Sequence, residues 1–228
     1  TDEPHATRRK AILKKYPEIK KLFGHCPKTK YIVIALVIAQ TYVAYQSQFV
    51  SWPIFHVLTY VVGATMVHSL VLAMHELAHN LGFKKMIHNR LFSLIVTMPL
   101  VLPSAVSFQM YHLDHHRYLG HDGLDMDLPS ALEGRLVTSI FRKLLFLWLQ
   151  MIVYLLRPML LNPKPICRWH VYSVLTNMVY LYFVHTIAGW SGILYLSLSL
   201  FWSGSLHPLA AHFIAEHYVF TLGHETYS

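Results

Sequence analysis

Apolar positions in this chain fall in long uncharged runs separated by short polar stretches. The first thirty residues differ: RRKAILKKYPEIKKLFG sets Ile12, Leu13, Tyr16, Ile19 and Phe23 near helical spacing among basic residues. Pro17 interrupts the pattern, so a partly helical segment able to lie on a membrane surface is expected. From Tyr31 the character changes. YIVIALVIAQTYVAY carries no charge, and after QSQ a second apolar run extends from Phe49 to Met74. Each is about long enough for one bilayer crossing with some tilt. Together they predict a helical hairpin that returns the chain to its starting side. LFSLIVTMPLVLPSAV is apolar but holds two prolines, which predicts a re-entrant or interfacial segment rather than a full span. LVTSIFRKLLFLWLQMIVYLLRPMLL places Arg142, Lys143 and Arg157 on an apolar helix, the pattern of a helix lying in the interface. Val171 to Ala188 and Trp190 to Ala211, parted by Gly189, predict a second hairpin that brings His212 back to the starting side.

The expected fold is all-α: a multi-pass membrane protein with about four transmembrane helices as two hairpins, plus interfacial helices. It divides into a basic N-terminal segment, residues 1–30, and a membrane domain, residues 31–228. No internal repeat, low-complexity tract or linker interrupts it.

Composition sharpens this picture. Of the 228 residues 54% are apolar and 13% charged, and mean hydropathy is +0.39, which points away from an ordinary soluble domain. Cys26 and Cys167 lie far apart and make neither a CxxC motif nor a disulfide framework. The formal charge of +8 is concentrated near the start, where positions 8 to 30 hold nine of the nineteen Lys and Arg residues. Beside an apolar span, such a basic stretch marks a cytosolic flank better than a nucleic-acid site. Lys84, Lys85 and Arg90 follow the second run, so both ends of the first hairpin are expected to face the cytosol.

Histidine is the outlier, with 17 residues. His75-Glu76-Leu77-Ala78-His79 closes the second apolar run and stacks His75 and His79 on one helical face. His-Glu-x-x-His is the zinc motif of metalloproteases, but a pair at this spacing arises about once by chance in so histidine-rich a chain. Its placement carries more weight, since an ionisable cluster ending an apolar span is costly unless it faces a cavity or binds something. The second cluster, His112-Leu113-Asp114-His115-His116, puts three imidazoles on one helical face, a triple expected only about 0.1 times by chance. A third group, His207, His212, Glu216 and His217, follows the last apolar run.

Five imidazoles from two boxes exceed what one zinc site with an open position requires, so a protease would leave the triple without a task. A non-catalytic membrane protein would leave two boxes at matching depth unexplained. Neutral imidazoles suit iron, and a cluster of them leaves bound metal strongly electrophilic. Glu76 and Asp114 are expected to orient the imidazoles as hydrogen-bond acceptors.

HELAHN and HLDHH resemble the first two histidine boxes of the membrane fatty acyl desaturase and hydroxylase superfamily. More closely, EPHATRRKAILKKYPEIKKLFG, FQMYHLDHHRYLGHDGLDMDLP, RPMLLNPKPI, HPLAAHFIAEHY and GHETYS resemble the sphingolipid Δ4-desaturases. The resemblance implies a helical protein of the endoplasmic reticulum membrane with two iron ions facing the cytosol. It implies oxygen as co-substrate, electrons from cytochrome b5 and its reductase, and conversion of dihydroceramide to ceramide by a trans double bond. By matching motif, His75, His79, His112, His115, His116 and His212 would bind iron. Related enzymes hydroxylate carbon 4 of the sphingoid base, which stands as the alternative activity. The family's third box, HxxHH, is expected beyond the last span and does not occur before Ser228. The chain is therefore expected to be a truncated piece that by itself does not hold both irons properly.

Overall fold

The computed structural model describes residues 4–118 and 120–211. Among them every regular element is a helix. α1 (Pro4–Lys15) and a 3-10 turn (Pro17–Leu22) form the basic entry segment, parted at Tyr16 with Pro17 opening the turn. α2 (Thr29–Gln46) is the first apolar helix. After a short turn the chain comes back through α3 (Trp52–Val57), a π-helical stretch (Leu58–Gly63) and α4 (Ala64–Ala78), a continuous helical run. The two runs are antiparallel: Thr29 Oγ1 donates to Glu76 Oε1 at one end (2.7 Å), and Gln40 Nε2 donates to the Gly63 carbonyl further along (3.4 Å). The first expected hairpin is therefore present. Asn80, with φ 59°, ends it in the left-handed conformation that Asn tolerates after a helix.

α5 (Met86–Thr97) and α6 (Ala105–Arg117) flank the two prolines and meet at a bend of 111°. A bend at the two prolines of LFSLIVTMPLVLPSAV fits a re-entrant loop and a broken span alike. Val101, at the bend, holds φ 63°, a costly conformation for a β-branched residue. α7 (Ala131–Leu136) is a short helix set by a capping box between Ser130 and Glu133. α8 (Ile140–Leu161) begins at Ser139, whose Oγ accepts from the Arg142 N–H.

α9 (Arg168–Ser203) is two limbs joined at Gly189, whose φ 59° and ψ −156° only glycine adopts without strain. The chain reverses there. A straight helix would separate Tyr180 from Tyr195 by roughly 22 Å. Yet the Tyr180 hydroxyl meets Thr41 Oγ1 at 2.8 Å and the Tyr195 hydroxyl donates to Gln40 Oε1 at 3.3 Å, on adjacent residues of α2. The second hairpin is thus present, with one correction. Its return limb is not a helix to Ala211 but stops at Ser203, about 21 Å of helix against a hydrocarbon core of about 30 Å. A short 3-10 turn (Pro208–Ala211) follows, and His207 sits against Tyr60, 4.7 Å between rings, rather than level with the first box.

α2, the α3–α4 run, α8 and α9 are each long and apolar enough to cross a membrane, and the bent pair adds a fifth candidate if counted as one span. Ile38, Tyr42, Val61, Val179 and Tyr182 keep large apolar side chains exposed on these helices. Apolar burial gains little between helices in lipid, so close approach and hydrogen bonds decide how they pack. Gly63 illustrates this: a Cβ there would lie 2.0 Å from Ser199 Oγ, so α9 and the π-helical stretch meet backbone to side chain. One core, around Val33, Val67, Leu70, Leu77, Val96 and Leu100, lies beneath the histidine boxes. A second, around Ala44, Phe55, Tyr180, Val184 and Tyr195, fills the end near Gly189.

Candidate metal centre

HELAH lies on the last turn of α4, and HLDHH on the last turns of α6. The helical repeat puts His75 and His79 on one face of α4, and His112 and His116 on one face of α6. The two faces meet. His79 Nε2 lies 2.8 Å from His112 Nε2, and His112 Nε2 lies 3.0 Å from His116 Nε2. The His75 ring centroid is 4.3 Å from that of His112 and 5.0 Å from that of His79. One ring nitrogen from each of the four comes within 4.8 Å of all the others. Phe108 stacks flat on His112, with centroids 5.0 Å apart and an interplanar angle of 9°. Gln109 Nε2 donates to the Ala78 carbonyl and ties the two box helices together just beneath the cluster. His116 is exposed while the other three are half-buried, so the cluster opens to one side.

Burial lowers the His79 pKa below its ordinary value, which favours the neutral imidazole that a metal requires. Four imidazole nitrogens converging on one point fit a transition-metal ion, and the donor type suits iron.

His115 goes elsewhere. On a helix, i+3 and i+4 lie 100° apart, so His115 turns away from the face that His112 and His116 share. His115 is buried, and its Nδ1 lies 2.8 Å from Asp125 Oδ1 and 3.3 Å from Asp127 Oδ2. Asp125, 2% exposed, also accepts from the N–H groups of Gly120 (2.9 Å) and Asp127 (3.0 Å). Burial works against its charge, but the bonds from His115, Gly120 and Asp127 prevail and hold its carboxyl below the ordinary value. With Nδ1 engaged by Asp125, a metal at His115 would be met through Nε2.

The carboxylates inside the boxes have other partners: Glu76 accepts from Thr29, and Asp114 accepts from Lys164 Nζ at 2.5 Å. The carboxylate on a box imidazole is Asp125, which sequence reasoning passed over. His212, Glu216 and His217 lie outside the described residues.

α8 supports the site from the side. Arg157, read from sequence as one of three charges on an interfacial helix, is instead buried at 6% exposure. Its guanidinium forks onto Glu133, with Nε to Oε2 at 3.0 Å and Nη2 to Oε1, while Nη1 donates to the carbonyls of Met126 (3.2 Å) and Asp127 (3.4 Å). Burial opposes the Glu133 charge, but Arg157 and Ser130 hold its pKa below the ordinary value. The Tyr111 hydroxyl on α6 donates to the carbonyls of Pro158 and Asn162 at the end of α8. A cavity of about 200 Å³, lined by Met74, Ala78, Arg90, Gln109, Met110 and Trp169, opens beside the box helices.

Comparison with known proteins shows the family of the chain. The profile of the family described as Fatty acid desaturase matches residues 51–227, and that of Sphingolipid Delta4-desaturase (DES) matches residues 1–28. The chain is 43% identical to the sphingolipid delta(4)-desaturase DES1 of Drosophila melanogaster, over 100% of this chain and 72% of the relative. It is 46% identical to the sphingolipid delta(4)-desaturase of Candida albicans, over 96% of this chain and 60% of the relative. A Bos taurus relative, 42% identical over 100% of this chain and 71% of its own length, is named sphingolipid delta(4)-desaturase/C4-monooxygenase DES2. No solved structure matches the chain.

Proposed function

Because the chain belongs to the fatty acid desaturase family, a family of oxidoreductases, we propose that it desaturates the sphingoid base of dihydroceramide at carbons 4 and 5, giving ceramide with a trans double bond. The observation that carries this reading is the meeting of four imidazoles from two separate boxes at the end of an apolar helix. Bound there, two iron ions would supply oxygen-dependent oxidation strong enough to take hydrogen from an unactivated C–H bond. His75, His79, His112 and His116 would hold metal, His115 would contribute Nε2, and His212 is assigned by its motif. The reaction balances with two hydrogens lost from the lipid. These, with two electrons and two protons, reduce one oxygen molecule to two waters.

The rest of the site does what such a reaction needs. Neutral ligands avoid charges that would be costly beside lipid. Phe108 and the apolar core beneath the boxes shield the cluster from the bilayer side. The cavity is smaller than the ~300–1,000 Å³ of a typical ligand pocket, so it suits the polar head of a lipid whose chains remain among the apolar helices. The exposed ring of His116 leaves the opposite side accessible to an electron donor, proposed to be cytochrome b5 with its reductase. Lys84, Lys85 and Arg90 near this end favour a cytosolic orientation in the endoplasmic reticulum membrane. The Bos taurus relative's name supports a second reading, hydroxylation at carbon 4.

The test is expression of the whole protein in cells lacking their own dihydroceramide desaturase, with sphingoid bases followed by mass spectrometry. Wild type should form the Δ4 product, and His112→Ala should not. A 4-hydroxy base would establish the second reading. Wild-type protein that is present in the membrane and forms neither product would overturn both.

A further inference from the structure

The loop after the second box, GHDGLDMDLP, is built around a buried carboxylate. The geometry points to Asp125 as the residue that fixes the ring of His115, and to Arg157 as the anchor that fixes the loop carrying Asp125. This inference rests on the proposed iron site.

A neutral imidazole offers one donor and one acceptor, and the partner of one nitrogen decides the role of the other. Asp125 Oδ1 accepts from His115 Nδ1, so the proton sits on Nδ1 and the lone pair is left on Nε2. Asp125 is able to impose this because its own position is set by the backbone, through the N–H groups of Gly120 and Asp127. That backbone is set in turn by Arg157, whose Nη1 holds the carbonyls of Met126 and Asp127 while its other nitrogens grip Glu133. The chain of contacts runs from α8 through the loop to α6, and Arg157, Met126, Asp125 and His115 along it are buried. The ring is thereby held before any metal arrives.

His115, Asp125 and Asp127 also bring ligand atoms within 4.8 Å of one another, as a cation site would. The Asp125 oxygens, however, already accept three N–H hydrogens, from His115, Gly120 and Asp127. Those hydrogens take three of the carboxylate's roughly four lone-pair directions, and the proton on His115 Nδ1 closes that nitrogen to an ion, so the group is built to orient the imidazole. Loss of such an orienting partner typically weakens metal binding 10–100-fold.

The experiment uses the whole protein, iron-loaded and purified in detergent, and titrates it with an iron chelator while retained iron per chain is measured. Thermal unfolding of the same samples is recorded. Asp125→Asn keeps the shape of the side chain and should release iron at roughly 10–100-fold lower chelator, while its unfolding transition remains. Arg157→Lys keeps the charge but loses the planar fork, and should release iron at several-fold lower chelator. Asp122→Asn, an exposed position in the same loop, should match wild type. Folded Asp125→Asn protein that retains iron like wild type would overturn the inference. If Asp125→Asn does not fold, Arg157→Lys decides alone, and wild-type retention in that variant overturns it. Wild type that binds no iron removes the proposed metal centre itself, a result distinct from either variant failing to differ.

Discussion

Two sides of α6 use the same residue type in opposite ways. On one side His112 and His116 meet His75 and His79, imidazole against imidazole, in a half-exposed cluster. On the other side, one residue before His116, His115 is buried against two carboxylates that belong to a folded loop. The first arrangement brings imidazoles together and leaves them competing for the same protons, as suits the proposed metal centre, where an ion would replace those protons. The second satisfies the ring fully on one nitrogen and so determines what the other can do. Position within a histidine box therefore does not by itself assign a role. The partner on the far nitrogen does.

Substitutions can break this contrast, and the largest effect should come from the cluster. His112→Ala removes the ring shared by His75, His79 and His116, and product formation should fall to background in the cellular assay. On the carboxylate side, Arg157→Ala leaves the half-buried Glu133 without its cation, a loss below the about 3–5 kcal/mol of fully buried pairs. The thermal midpoint in detergent should drop accordingly, and Arg157→Met with Glu133→Leu should recover most of it. The pH dependence has a fixed sign: Glu133 has a lowered pKa in the fold, so the pair's stabilisation is present above its unfolded value. It is lost as pH falls through the lower, folded value. The midpoint of wild type should therefore decline below about pH 4.5, with less decline in the Met/Leu pair.

Away from both sides of α6, Gly63→Ala tests packing alone. The added methyl meets Ser199 and should cost about 1–3 kcal/mol, with partial rescue by Ser199→Gly. The smallest effect is expected from Asp114→Asn. Its ion pair with Lys164 is partly solvated, so the midpoint should move by no more than about 1 kcal/mol equivalent. A large loss of iron in that variant would show that Asp114 does orient the cluster.

Much of the fold is legible from local pattern. Uncharged runs define α2 and the return helix, Gly189 marks a reversal, and Pro99 and Pro103 mark the bend between α5 and α6. Spacing puts both imidazoles of HELAH on one face and is read as doing so for all three of HLDHH, of which the structure keeps His112 and His116 and turns His115 away. What is not legible depends on tertiary partners. Arg157 reads as an interfacial charge until Glu133, 24 positions earlier, is seen to receive it. Asp125 and Asp127 read as a polar loop, although two acids spaced around apolar residues in LDMDLP are a usable signal for one buried carboxylate. The early end of the return limb at Ser203 is foreshadowed by Ser203-Gly204-Ser205 followed by Pro208, a cluster of turn formers within an otherwise apolar run.

The Arg157 anchor also bears on the order in which the molecule is made. Its partners, Met126, Asp127 and Glu133, all precede it in the chain by about thirty residues or fewer. A nascent chain would thus present the acceptor loop before α8 emerges, and the guanidinium would never have to enter lipid uncompensated. Closure over so short a stretch is fast compared with pairing of distant segments. The α6–α8 unit can therefore assemble as a local piece before the second hairpin is synthesised, leaving α9 to dock onto a surface that already exists.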